Sequence, residues 1–475
     1  MNRKNIWTVF LFLVPCLLFS QDVKFSSLTR QFIVSQSPLI VLQNARVIDG
    51  TGAPAKTGLT ILIRDGKIAN ISDSEDIQIP EEAEVIDLEG KSLLPGFIML
   101  HEHMFYPAGN GHYNHQYVSF PKLYLAGGVT TLRTTGTLEP FGDLNLKEAI
   151  DSGRTPGPKM DVTSPYFNGP GLGLLQIKTL KAAEDARKMV NYWDNEGVDS
   201  YKVYAQITRE ELQAVVEEAH KRGKKVTGHL GSVTYREAAD LGIDNLEHGF
   251  FVSSDFVQDK KPDINPGSGA QRQSLLALDI DGPEAQSLID HLIKTGVALT
   301  STLPVYETYV PGRPSASSAA LDALLPETRD LYLRNWARIA HNSNSDWPEL
   351  IKKGMALEKK FFDAGGLLLV GTDPTGYGGV IAGYSNFRAI ELLVEAGLSH
   401  LEAIQVATLN GARYLDQEDT IGTIEVGKIA DLLIIDGNPD QNISDVRKIE
   451  IVIKDGIGYD SQKLFDSVKG QVGLR

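Results

Sequence analysis

The sequence predicts an α/β protein, a (β/α)8 TIM barrel over 94–415 joined to a small β-sandwich domain built from two segments, 38–93 and 416–460. Three observations carry this. Apolar runs of strand length alternate with helical stretches through the middle of the chain, the signature of βα units on a parallel sheet. Both ends instead carry short β-rich runs broken by Asp-Gly and Glu-Gly turns, which read as hairpins. No Gly-x-Gly-x-x-Gly turn supports the competing doubly wound open sheet.

Taken in order, residues 1–20 read as a cleaved signal peptide, with Arg3 and Lys4 before an apolar stretch, Ile6 to Phe19. That stretch is short against the roughly 20 residues needed to cross a bilayer. It also holds Cys16, the only cysteine, so the mature chain would have no disulfide, no thiol nucleophile and no thiolate ligand. Residues 21–36 look like a polar leader. Runs follow at 39–42, 45–50, 59–63 and 85–90, matched near the other end by 430–437 and 449–456. Each set is small for an independent core, which is why the two ends are expected to pair.

In the middle, strands are expected at 97–103, 128–133, 159–164, 200–204, 225–229, 244–248, 297–303 and 367–371. Helical spacing appears at 182–193 and 349–362. Thr208-x-x-Glu211 and Ser399-x-x-Glu402 are capping boxes that open helices. Two polar inserts, 253–286 and 308–346, follow barrel strands and are candidate lids over a site. The formal charge of −15, or −17 without Arg3 and Lys4, argues against nucleic acid and against an anionic membrane surface. A small molecule is the expected partner, with homo-oligomerisation left open.

Chemistry-bearing residues fall where these strands run into loops. Leu100-His101-Glu102-His103 places two imidazoles on one face of a strand, with Glu102 pointing away. Lys202, His229, His248 and Asp373 close the fourth, fifth, sixth and eighth strands. In a barrel those ends meet at one mouth. Each residue alone has an ordinary reading, as a packed histidine, a surface or Schiff-base lysine, or an aspartate in a turn. His112, His115, His220, His291, His341 and His400 are left with it, the first two with reservation because they follow the first strand closely. The set would hold two divalent cations if Lys202 were carboxylated, the carbamate bridging both. Nitrogen and oxygen donors suit zinc, with manganese or cobalt as alternatives.

The chain resembles the amidohydrolase superfamily over roughly 38–460. The resemblance rests on Pro95-Gly96-Phe97…His101-x-His103, Lys202, His229, His248 and Asp373, with the tail motifs Ala407 to Arg413 and Gly422 to Leu432. Lys202 makes it most similar to the binuclear, prolidase-like dipeptidases. That resemblance implies a (β/α)8 metallohydrolase whose metals are held by His101, His103, carboxylated Lys202, His229, His248 and Asp373. One departure is Met99, where that family usually carries Asp, so a carboxylate supporting the first histidine is missing.

The expected activity is an exported enzyme, secreted or periplasmic, that cleaves an amide C–N bond by metal-bound hydroxide. Asp373 would pass a proton to the leaving nitrogen. A dipeptide or N-acyl amino acid is the expected substrate, with Arg133 holding its carboxylate and Tyr204 its developing oxyanion. Packed alternatives exist for both residues. A hydrolase of a cyclic amide, lactone or phosphoester on the same metals is the second reading, and a non-catalytic binding protein the third.

Overall fold

The computed structural model describes residues 25–73, 78–109, 112–172 and 176–473. The expected signal peptide, with Cys16, lies outside the described residues. The two chain ends share one nine-stranded sheet. Two of its hairpins turn at Asp65-Gly66 and Asp455-Gly456, where both residues of each pair have positive φ (49° and 75°; 54° and 79°). That is the geometry a two-residue hairpin needs and the reason Asp-Gly marks it. One face buries Ile40, Leu42, Ile61, Ile63, Leu432 and Ile434.

The expectation of two stacked sheets is corrected here. Ser92–Pro95 pairs antiparallel with Leu432–Ile435 and parallel with Arg46 and Val47, so one hydrogen-bond ladder runs through both chain ends. The leader is corrected too. Ile33–Ser35 is a strand paired with Ile457–Asp460, and Ser26 caps a short helix, Ser27–Arg30.

The middle is a TIM-barrel-type α/β arrangement of parallel strands in chain order: Phe97–Met99, Val129–Arg133, Lys159–Asp161 continued by Thr163–Phe167, Ser200–Val203, Val226–Gly228, Asn245–Glu247, Ala298–Ser301 and Leu368–Val370. The third strand breaks at Val162, pairing with the second strand before it and the fourth after it. First and eighth strands meet through Leu100 N–H donating to Val370 O at 2.8 Å. Both capping boxes form, opening Arg209–His220 and His400–Gln405. The other two expected helices are Ala183–Glu196 and Trp347–Asp363.

Lys159 joins the two parts, its Nζ lying 2.8 Å from Asp431 and 2.7 Å from Asp455. The second insert carries the helices Ser318–Ala323 and Pro326–Ala340. It borders a cavity of about 450 Å³ with Tyr332, Trp336 and Tyr377, separate from the histidine cavity described next.

Candidate metal centre

His101 and His103 lie just past the first strand, which ends at Met99. Their backbone is gripped from both sides. Glu102 N–H donates to Arg133 O, and the N–H groups of Thr372 and Asp373 both donate to His101 O, each at 3.0 Å. Gly371 is required at that crossing, because a Cβ there would lie 2.5 Å from His101 N. Glu102 points away from the pair, as alternation predicts. Its carboxyl is buried between strands and the helix Tyr384–Glu395, accepting from Thr372 Oγ1 and from Asn386 Nδ2. Burial pushes it up to about 8.

His101, His103 and Asp373 offer ligand atoms all within 4.8 Å of one another. Asp373 Oδ1 is 3.5 Å from His103 Nε2 and 3.9 Å from His101 Nε2, and it makes no hydrogen bond. Burial pushes the Asp373 carboxyl up, but the surrounding histidines, His103 foremost, hold it below the usual carboxylate range. His248 and His229 complete the ring of imidazoles, with centroids 4.6 Å from His101 to His248 and 4.5 Å from His248 to His229. Burial drops His229 to about 3, with the Lys202 charge adding to it. Burial likewise lowers His101 and His248, so these three imidazoles favour the neutral form that ligates a metal.

The second nitrogens are occupied in the way metal-binding histidines require. His101 Nδ1 meets Glu247 Oε2 at 2.6 Å, His103 Nδ1 meets Gly136 O at 3.1 Å, and His248 Nδ1 meets Thr302 Oγ1 at 2.9 Å. Lys202, in the fourth strand, is buried in the same group, and its Nζ has no hydrogen-bond partner. Burial lowers its ammonium to about 8. An orphaned amine and an orphaned carboxylate oxygen among four clustered imidazoles, three of them buried, fit a divalent-metal site.

Glu247 is the residue that spacing did not reveal. Strand alternation would turn Glu247 and His248 to opposite faces, but His248 sits at φ 69°. That left-handed turn brings both side chains inward. Glu247 thus supplies to His101 the carboxylate that Met99 lacks, from another strand. A buried glutamate directly before a strand-end histidine was the available signal.

Arg133 is corrected. It is fully buried and does not line the cavity. Its Nη2 donates to Glu247 Oε1 at 2.8 Å and Asn245 Oδ1 at 2.7 Å, its Nε donates to Leu100 O at 2.9 Å, and it stacks over Tyr414. It sits behind the histidines and charge-compensates Glu247 instead of meeting a substrate carboxylate. Tyr204 does line the cavity, 4.8 Å from the His229 ring.

The cavity above these groups is about 120 Å³. Its outer wall includes the hairpin Phe105–Gly109 and His112–His115, through Phe105 and Tyr113. His115 pairs with Glu139 at 3.2 Å and does not line the cavity, and neither does His112. No described residue of either insert lines it.

The family model described as Amidohydrolase family matches residues 92–458. The chain belongs to the amidohydrolase family. Among solved structures, this amidohydrolase is similar to a Xaa-Pro dipeptidase with bound methionine (23% identity, 89% of this chain and 100% of that one, TM-score 0.66). It is also similar to a bottromycin amidohydrolase (21% identity, 91% and 89%, TM-score 0.68). These likenesses concern the fold. A dihydroorotase of Anaeromyxobacter dehalogenans (strain 2CP-C) is 30% identical over 107 residues, 22% of this chain and 24% of that protein. The chain thus matches about a quarter of that curated relative's length.

Proposed function

We propose that this amidohydrolase is a metal-dependent enzyme that hydrolyses a C–N bond of a small amide. His101, His103, Lys202, His229, His248 and Asp373 would hold two divalent ions, zinc foremost, with Lys202 carboxylated. The observation that carries the reading is the buried, unpartnered Lys202 Nζ beside the unpartnered Asp373 Oδ1. A bare ammonium at that place would repel metal ions, whereas a carbamate would be an anionic ligand with two oxygens.

Metal ions in such a set polarise a carbonyl and lower the pKa of water. The chain's own groups supply the proton handling. Asp373, kept ionised by the imidazoles, takes a proton from the water that adds to the carbonyl carbon. It then returns that proton to the leaving nitrogen as the C–N bond breaks. Tyr204 lines the cavity, and its hydroxyl would donate to the developing oxyanion. Peptide-like substrates are favoured by the dipeptidase named among the structural neighbours. The local likeness to a dihydroorotase favours a cyclic amide as the second reading. The proposal includes export after removal of 1–20, and a barrel domain over 94–415 carried by an end domain.

Metal content per chain tests it, on protein expressed with bicarbonate and zinc or manganese. Two ions per chain, reduced by Lys202→Ala, is the expected result. One ion per chain, indifferent to Lys202, would overturn the carbamate-bridged site.

A further inference from the structure

Next to the polar floor of the histidine cavity stands a wall of different character. Phe105, Leu138 and Tyr166 form a small apolar cluster, with Tyr113, Ile177 and Tyr204 packed against it, and all six line the cavity. The wall touches the ligand group directly, since Phe105 stacks on His103 at 4.4 Å and Tyr204 packs on His229. The rings interlock edge to face, Phe105 on Tyr113 at 5.1 Å and Tyr166 on Tyr204 at 4.9 Å, so the surface is built and not incidental.

Charge on this surface is equally informative. Among the described residues, Lys202 is the one Lys or Arg lining the cavity, and it belongs to the ligand group. Arg133 is spent behind the histidines. Lys178, beside Ile177, is exposed and outside the lining. A substrate carboxylate seated on this wall, away from the ligand group, would lose its hydration against aromatic and aliphatic side chains with no Lys or Arg to replace it, and burying such a charge unpaired is costly. The volume also sets a limit. A dry cavity of about 150 Å³ holds one benzene ring, so a cavity of about 120 Å³ leaves room for no more than one ring or branched chain against this wall.

Resting on the hydrolase reading above, we infer that the substrate is an uncharged amide whose flank beside the scissile bond is one aromatic ring or branched hydrocarbon, not a free amino-acid carboxylate. Phe105, Leu138 and Tyr166 are the specificity-determining side chains. The reaction balances with water alone: the acyl C–N bond breaks, a C–O bond forms, and the nitrogen leaves with the proton that water gave up.

The test compares N-acetylphenethylamine with N-acetylphenylalanine, which differ by one carboxylate on the same flank. Both are measured on metal-loaded full-length protein, for turnover and for the ligand-induced rise in Tm. The expected result is at least tenfold higher kcat/KM and a larger Tm rise for the neutral compound, with Leu138→Arg shrinking or reversing both differences. Equal or better binding of the carboxylate by the wild type would overturn the inference while leaving the hydrolase reading intact. Preferential binding of the neutral compound without its hydrolysis would uphold the wall as a seat for an uncharged flank and count against the hydrolase reading. Binding of neither would overturn the inference.

Discussion

Glu247 stands between two groups that need it. One carboxylate oxygen accepts from Arg133 and the other meets His101 Nδ1, all three groups buried. Removing its charge strands a guanidinium in the interior, a loss on the order of 3–5 kcal/mol. It also frees the tautomer of His101, typically about 10- to 100-fold in metal affinity. Glu247→Gln is therefore expected to lower Tm and weaken metal retention together, measured by thermal unfolding and by competition with a chelator. Retention equal to wild type would show that Glu247 does not position His101. Glu358 gives a separate prediction. It is buried, with a carboxyl oxygen against Gly249, and burial raises it from 4.5 to about 8. The folded state then holds a proton that the unfolded chain releases. Stability must fall as pH rises from about 4.5 to about 8, by a few kcal/mol in all. Glu358→Gln mimics the protonated form and should flatten that part of the Tm–pH curve; an unchanged slope would remove Glu358 as its cause.

At the scale of elements, the site depends on how closely the first and eighth strands approach. Gly371 lies against the backbone of His101, and both Thr372 and Asp373 donate to His101 O. Gly371→Ala is expected to push the two strand ends apart by several tenths of an ångström. Metal affinity should fall at least tenfold while far-UV circular dichroism stays native, since the helices are not touched. Undiminished affinity would mean that the strands can separate without disturbing His101. The capping boxes behave locally by comparison. Thr208 receives Glu211 N–H and Glu211 reaches back to Thr208 N–H, so Thr208→Ala is expected to cost about 1 kcal/mol without changing metal content, as read by denaturant unfolding.

Across the whole molecule, the last described residues tie distant parts together. Val472 bridges to Leu324 of the second insert, and Gly473 O accepts from Asn114 Nδ2 and Gln116 Nε2, at and just beyond the hairpin that walls the cavity. Val472 is fully buried. Val472→Asp would place an unpaired charge there and should open 308–346 to limited proteolysis before global unfolding. Protection equal to wild type would show that this tail does not hold the insert.

Much of this was legible in the chain. The periodicities of strand and helix, the Asp-Gly turns, the capping boxes and the strand-end positions of His101, His103, Lys202, His229, His248 and Asp373 are local properties. Spacing reports them because backbone geometry repeats along an element. What alternation could not report is where it fails. The left-handed φ of His248 turns Glu247 inward, and that turn makes Arg133 its partner instead of a substrate's. The wall of Phe105, Leu138 and Tyr166 comes from three separate segments, and the single end sheet depends on Ser92–Pro95 pairing both ways. The sequence by itself determined the elements and the chemistry-bearing residues at their ends. Only the tertiary structure decided which buried charge compensates which, and what surface a substrate meets, because those depend on contacts between residues far apart in the chain.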